Sequence, residues 1–213
     1  MNMQDTRFLE QVAITGRVLG SLFYFAPDSE NNTDIVAILQ EPTWHEEWPF
    51  DLPSLTTISQ FFQSSIHDEE PLNEAWQRLF IGPYALPAPP WGSVWLDKEN
   101  IIFGDSTVEL RQWMRTKGIE PVTTQKEPED HIGLVLMLAA WLAEQNRRDD
   151  LEELLAWHLL PWSEHFLDTL ADTADSAFYI AVAKLTKETL AGYQQQITQP
   201  VLAKTVYYKE NAE

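Results

Sequence analysis

Ile132-Gly133-Leu134-Val135-Leu136-Met137-Leu138-Ala139-Ala140-Trp141-Leu142-Ala143 is the run whose reading decides the fold. It is apolar on every helical face, and its twelve residues fall well short of the ~20 that a membrane span requires. A helix that is apolar all round and does not cross a bilayer belongs inside a protein. Glu127, Glu129 and Asp130 precede it, where a helix dipole is positive and favours acids. The pattern predicts a central helix over 129–145.

Working outward, the periodicity stays helical. Phe8, Val12, Thr15, Leu19, Leu22 and Ala26 form one stripe, closed by Pro27. Gly16 and Gly20, four apart on it, would let a second backbone approach closely. A short helix is expected over 34–39, then a loop carrying Trp44 and Trp48. Ser54 should cap a helix running to Ile66, and Pro71 should open one that carries Trp76, Leu79 and Phe80. Ser106 and Glu109 have capping-box spacing, and Gly118 ends that helix. Beyond the central run, Asp149 and Glu152 introduce LEELLAWHLL (151–160), Pro161 separates it from a helix over 163–170, and Ser176 should cap a last long helix. Alternating β-type runs are few and short, and no repeat of fixed period is visible. The expectation is all-α, a single-domain helical bundle over 1–213 around the central apolar helix, with 1–6 and 201–213 loosely ordered.

The stretch GPYALPAPPWGSVWLD (82–97) breaks the pattern with four prolines and two tryptophans. Proline cannot continue a helix interior, yet the stretch is too apolar for a floppy linker. It reads as an ordered loop with its rings pinned against the body.

Composition excludes several functions. The charge balance of 14 basic against 33 acidic residues gives −19, which repels nucleic acid and anionic membrane surfaces and attracts basic partners. The absence of cysteine removes disulfides, thiolate nucleophiles, thiolate zinc sites and iron–sulfur ligation. No two of the five histidines (45, 67, 131, 158, 165) have the i, i+4 spacing of a helical metal pair, and no phosphate loop or nucleophile elbow is present. Nothing calls for a metal or cofactor. Val18–Ala26 is apolar and follows Arg17, but Asp5 and Glu10 lie upstream and no cleavage site follows, so a cytosolic chain without its own export signal is expected.

Two constellations remain. Asp130-His131 is an adjacent acid–base couple, read either as a working site or, with the better odds, as a helix cap beside a packed histidine. Trp76, Trp91 and Trp95 are either core or a binding surface, and for a Pro-Pro-Trp loop the two readings are evenly matched.

WQRLF (76–80), GP (82–83), PPWGSVW (89–95), FGDST (103–107), EPEDH (127–131) and EELLAWHLLPW (152–162), with RVLG (17–20) and LFYFAP (22–27), resemble the TorD/DmsD family of redox-enzyme maturation chaperones. The resemblance covers about residues 8–200, and the PPWGSVW run points to the DmsD branch. It implies an all-α cytoplasmic chaperone, not an enzyme, that binds the twin-arginine signal peptide of a molybdopterin-dependent reductase. Such a protein holds its client back until the cofactor is loaded, and contact with the twin-arginine translocase is compatible with that role. The leader-binding positions it implies are Tyr24, Trp76, Leu79, Phe80, Pro90, Trp91, Trp95, Asp130 and His131. Tyr84 departs from the branch pattern, where tryptophan is expected. The rival readings are an all-α adaptor for another basic segment and an enzyme using Asp130 and His131.

Overall fold

The computed structural model describes residues 3–120 and 127–208. Ten α-helices are found among them: α1 (Met3–Tyr24), α2 (Thr33–Gln40), α3 (Leu55–Ser64), α4 (Leu72–Trp76), α5 (Gly92–Leu96), α6 (Asp105–Thr116), α7 (Ile132–Glu144), α8 (Arg148–Leu154), α9 (Leu160–Thr173) and α10 (Ala177–Gln194). Two wider π turns, Gln77–Ile81 and Leu155–Leu159, extend α4 and join α8 to α9. The described residues contain no strand, only an isolated antiparallel bridge between Trp91 and His131. The all-α expectation holds. The buried apolar side chains form one cluster, to which every helix contributes.

α1 and α7 run antiparallel in close contact, and glycine makes that possible. A Cβ on Gly16 would lie 2.8 Å from the Leu136 carbonyl oxygen, and one on Gly20 would lie 2.8 Å from that of Gly133. Gly133 answers from the other side, 2.8 Å from the Gly20 carbonyl oxygen. The Gly16/Gly20 reading is thus met. α10 packs on α9 and α3 and reaches α1, where the Tyr193 and Thr15 hydroxyls lie 2.5 Å apart in the core.

α7 begins at Ile132, three residues later than expected, and is buried over most of its surface. One stripe is not: Leu134, Met137, Leu138 and Trp141, spaced as i, i+3, i+4 and i+7, remain half-exposed.

The local capping expectations fail in a consistent way. Neither Ser54 nor Ser176 makes a side-chain cap, and α6 starts at Asp105, so Ser106 lies inside the helix and no capping box forms. Carboxylates from distant segments take over. Asp68 accepts the Ala177 N–H at 2.9 Å at the head of α10, and Asp97 accepts the Ser106 hydroxyl at 3.3 Å in the first turn of α6. Gly118 does end α6, with φ +66° and the Ile119 N–H returning to Met114. Pro161 sits in the first turn of α9 rather than breaking a helix before Ser163, because the π turn has already absorbed the change of direction.

The 82–97 stretch is ordered, as expected, but its last part is helix α5 and not loop. The ends also differ from expectation. Residues 3–6 already belong to α1. Residues 201–208 are an extended strap whose lack of periodicity conceals its anchoring. Leu202 N–H donates to Ala156 at 3.0 Å, Tyr207 N–H donates to Trp95 at 2.7 Å, and the Tyr208 ring packs 4.3 Å from that of Trp95. Residues 1–2 and 209–213 of that expectation lie outside the described residues.

Candidate functional site

The PPWG turn and the EPEDH turn clasp each other. Ile132 N–H donates to the Pro90 carbonyl at 2.8 Å and Gly92 N–H to the Asp130 carbonyl at 3.1 Å, which sets Trp91 beside His131. Gly92 cannot carry a side chain here, since a Cβ would lie 2.9 Å from the Trp162 indole nitrogen. The clasp therefore rests on the core, and Trp91 is left half-buried against it.

Asp130 and His131 divide their labour in a way adjacency does not reveal. The Asp130 carboxylate accepts the Ser93 N–H at 2.6 Å, capping α5 rather than the helix it precedes. His131 occupies the N-cap position of α7, where its Nδ1 accepts the Gly133 N–H at 3.1 Å. The expectation that Asp130 caps the central helix is corrected on this point: the histidine does so. Burial holds the imidazole neutral, its pKa pushed down to about 3, and with Nδ1 accepting, the proton resides on Nε2. Burial also raises the Asp130 carboxyl, against the stabilising hydrogen bond from Ser93. The two side chains serve different backbone N–H groups, so no proton relay links them.

Around this clasp stand aromatic rings and one further acid. Tyr24 meets His131 edge to face at 5.5 Å, and Trp91 meets it at 6.0 Å. The Trp91 indole N–H donates to Glu127, a half-buried carboxyl whose pKa is raised by burial and by the field of Asp130. Glu127 in turn contributes to raising the Tyr24 phenol, behind the larger effect of burial. Among the described residues neither Glu127 nor Asp130 has a cation within salt-bridge distance, whereas Glu129 between them is paired with Arg111. Tyr24 is placed by the end of α1, where buried Asn32 donates to the carbonyls of Ser21 (3.0 Å) and Phe25 (2.7 Å) and stops the helix.

The structure thus brings Tyr24, Trp91, Asp130 and His131 together, with Pro90 contributing its carbonyl. Leu79, Phe80 and Trp95 lie behind them in the core. Phe80 packs against Phe23 (6.0 Å) and Tyr179 (5.3 Å), and the Trp95 indole donates to Pro89 at 2.8 Å. Trp76 is half-buried on α4, whose Asn73 holds Asp28 at 2.6 Å just beyond the end of α1. Tyr84 is 86% exposed. Sequence reasoning passed over Glu127 as part of an ordinary acidic helix start; an acid next to Pro128, outside the helix proper, was the available signal.

The described residues hold no group of three or more potential metal ligands, and none of their helices is long and apolar enough to cross a membrane.

Residues 47–168 match the family described as nitrate reductase delta subunit. The Tat proofreading chaperone DmsD of Salmonella typhimurium is 52% identical over 95% of this chain and 99% of its own length. The chaperone protein YcdY of Escherichia coli is 28% identical over 90% of this chain and 98% of its own. The chaperone protein TorD of Shewanella pealeana is 24% identical over 51% of this chain and 52% of its own.

Proposed function

The chain belongs to the TorD/DmsD family of redox-enzyme maturation chaperones, the family described as nitrate reductase delta subunit, and from that premise we propose that it is a twin-arginine proofreading chaperone. It binds the signal peptide of a molybdopterin-dependent reductase of the dimethyl sulfoxide reductase type, in the cytoplasm, and delays export until the cofactor is loaded and the client folded.

The observation that carries this reading is Glu127. A half-buried carboxylate held by the Trp91 indole, beside a second buried carboxylate and with no cation among the described residues, is electrostatically incomplete. A leader arginine completes it. The guanidinium can pair with Glu127 while its plane lies on an aromatic face of Trp91 or Tyr24. The −19 net charge draws a basic leader toward the surface, and the apolar surroundings provide the dwell time.

Isothermal calorimetry with a synthetic leader tests the reading. The peptide bearing its arginine pair should bind saturably, and replacing both arginines by glutamine should weaken binding at least tenfold. Equal affinity for both peptides would remove the arginine-reading function and leave a general adaptor for another segment.

A further inference from the structure

The half-exposed stripe of α7 is one wall of a groove that the cluster around Trp91 does not include. Leu134, Met137, Leu138 and Trp141 face Met114 and Ile119 across a cavity of about 630 Å³, with Arg17 and Glu129 also at its edge. A smaller cavity of about 290 Å³ continues it along α6 and shares Met114, Ile119 and Glu129. The larger volume falls within the range of ligand sites, and its lining side chains are mostly apolar. A helix stripe of two leucines, a methionine and a tryptophan left open beside the core is the kind of surface that a partner covers.

Its direction identifies the partner. The groove starts at Leu134, three residues beyond His131, and ends at Trp141, so α7 carries it away from the cluster over about 15 Å counted from His131. α1 forms its flank, with Tyr24 at the cluster end and Arg17 two turns back on the same stripe. Charge is distributed unequally along it. Glu127 and Asp130, without cations among the described residues, stand at the His131 end. Elsewhere along the groove charges offset one another: Arg17 is neutralised by Glu144 at 2.7 Å, Arg147 lies over the Trp141 ring while paired with Asp150, Arg111 is paired with Glu129, and Arg115 and Glu120, one of each sign, also line the walls. The surface therefore presents negative charge first and apolar area second. The ligand complementary to it is a peptide with cations followed by an apolar segment.

We infer that the Leu134–Trp141 face of α7, with Met114 and Ile119, seats the apolar segment that follows the arginines of the leader, which enters with its arginines at Glu127. This inference rests on the proposed leader-binding function and adds to it a second subsite. About ten residues in helical form span the ~15 Å available, and the methionines can repack to accommodate different apolar sequences. The arginines give register and the groove gives most of the contact area.

Two measurements test it. Leu138→Gln and Leu134→Gln change half-exposed positions and leave the Glu127–Trp91 cluster intact. By calorimetry each should weaken the full leader at least tenfold, yet leave unchanged the weaker binding of a short peptide that ends just after the arginines. In the wild-type protein, photo-leucine placed in the apolar segment of the leader should cross-link to residues 134–141, Met114 or Ile119, read by mass spectrometry; this arm does not depend on a variant folding. Wild-type affinity of both variants for the full leader, or cross-links elsewhere while Trp91→Ala still weakens binding, would overturn the groove and leave the proposed function standing. A shift of Leu138→Gln from dimer to monomer in sedimentation with leader affinity unchanged would assign the groove to a second copy of the chain and overturn the inference. Failure of the wild type to bind any leader peptide would overturn both.

Discussion

The middle and the N-terminal end of α7 are held to their neighbours by opposite means. In the middle, contact depends on atoms that are absent: Gly16, Gly20 and Gly133 let the α1 and α7 backbones approach to where a Cβ would overlap a carbonyl oxygen. At the end, contact depends on polar atoms reaching across from distant sequence: Asp130 to Ser93, the Pro90 carbonyl to Ile132, Glu127 to Trp91. The first arrangement is close backbone-on-backbone packing. The second leaves two carboxylates without cations among the described residues and rings half-covered, which is the state expected of the proposed leader site before its ligand arrives. On the proposed function, close packing and leader binding fall at different places along a single helix.

The sharpest way to break this contrast is to put a side chain into the seam. Gly20→Val would set atoms against the Gly133 carbonyl, which is backbone and cannot move aside as the Met137 side chain can. The two helices would have to part, and an unfolding midpoint in urea should report a loss of about 3 kcal/mol or more. A loss under about 1 kcal/mol would mean that the seam is looser than the contacts indicate.

The polar end should show itself in acid. A histidine whose folded pKa lies below its unfolded value of about 6.5 binds fewer protons when folded. Its contribution to stability is full above pH 6.5 and is lost as pH falls toward the folded value, about 3 for His131 and about 4 for His158. Each should lower the unfolding free energy by about 2 kcal/mol between pH 6.5 and pH 5. The raised carboxyls of Glu127 and Asp130 act in the opposite sense, since the folded form keeps its protons longer, and they should flatten the curve at its lower end. His131→Asn retains an acceptor for the Gly133 N–H and removes the titration. Its stability curve should fall about half as steeply over this window as that of the wild type; identical slopes would show that His131 is not held neutral.

Binding variants sharpen the contrast from the other side. Trp91→Ala should cost about 2 kcal/mol or more of leader affinity, while Trp91→Phe, which keeps a ring and drops the indole bond to Glu127, should cost about half as much. Glu127→Gln should cost about 1 to 2 kcal/mol, with the loss confined to leaders that carry the arginines. None should shift the urea midpoint as far as Gly20→Val.

These two regions also differ in how far the sequence revealed them. The seam was legible because its cause is local: a four-residue glycine spacing on an amphipathic helix, and an apolar run to receive it. The cluster was legible only in part. Asp130 and His131 stand out as an acid–base couple, but their partners lie 37 residues away at Ser93 and two residues ahead at Gly133, and no spacing rule announces the first. The same cause explains the failed caps at Ser54, Ser106 and Ser176, where carboxylates from Asp68 and Asp97, or no side chain at all, replaced the serine hydroxyl. The strap at 201–208 was missed because an extended segment hydrogen-bonded to Trp95 and Ala156 has no period to detect. The family resemblance supplied the positions of Leu79, Phe80 and Trp95, but burial places them behind the surface, a distinction that requires coordinates.

The smallest effect is expected at Asp130, and it tests whether cap and charge are separable. The carboxylate accepts the Ser93 N–H, and asparagine can accept it equally well, so Asp130→Asn should keep α5 capped and stay within about 0.5 kcal/mol of wild-type stability. Asp130→Ala removes the acceptor and should cost about 1 kcal/mol. The charge is another matter. Asp130 is only 3% exposed, so a leader arginine meets its field and not its oxygens. Removing that field should weaken the leader by about 0.5 to 1 kcal/mol, less than Glu127→Gln, and should make the affinity less dependent on salt because one attractive charge has gone. A double-mutant cycle settles the origin of the loss. If Asp130 acts on the arginines, Asp130→Asn should do little further harm to a leader whose arginines are already glutamines. If the two losses simply add, Asp130 does not act on the arginines, and its part in the molecule is to hold Ser93, and with it the turn that carries Trp91.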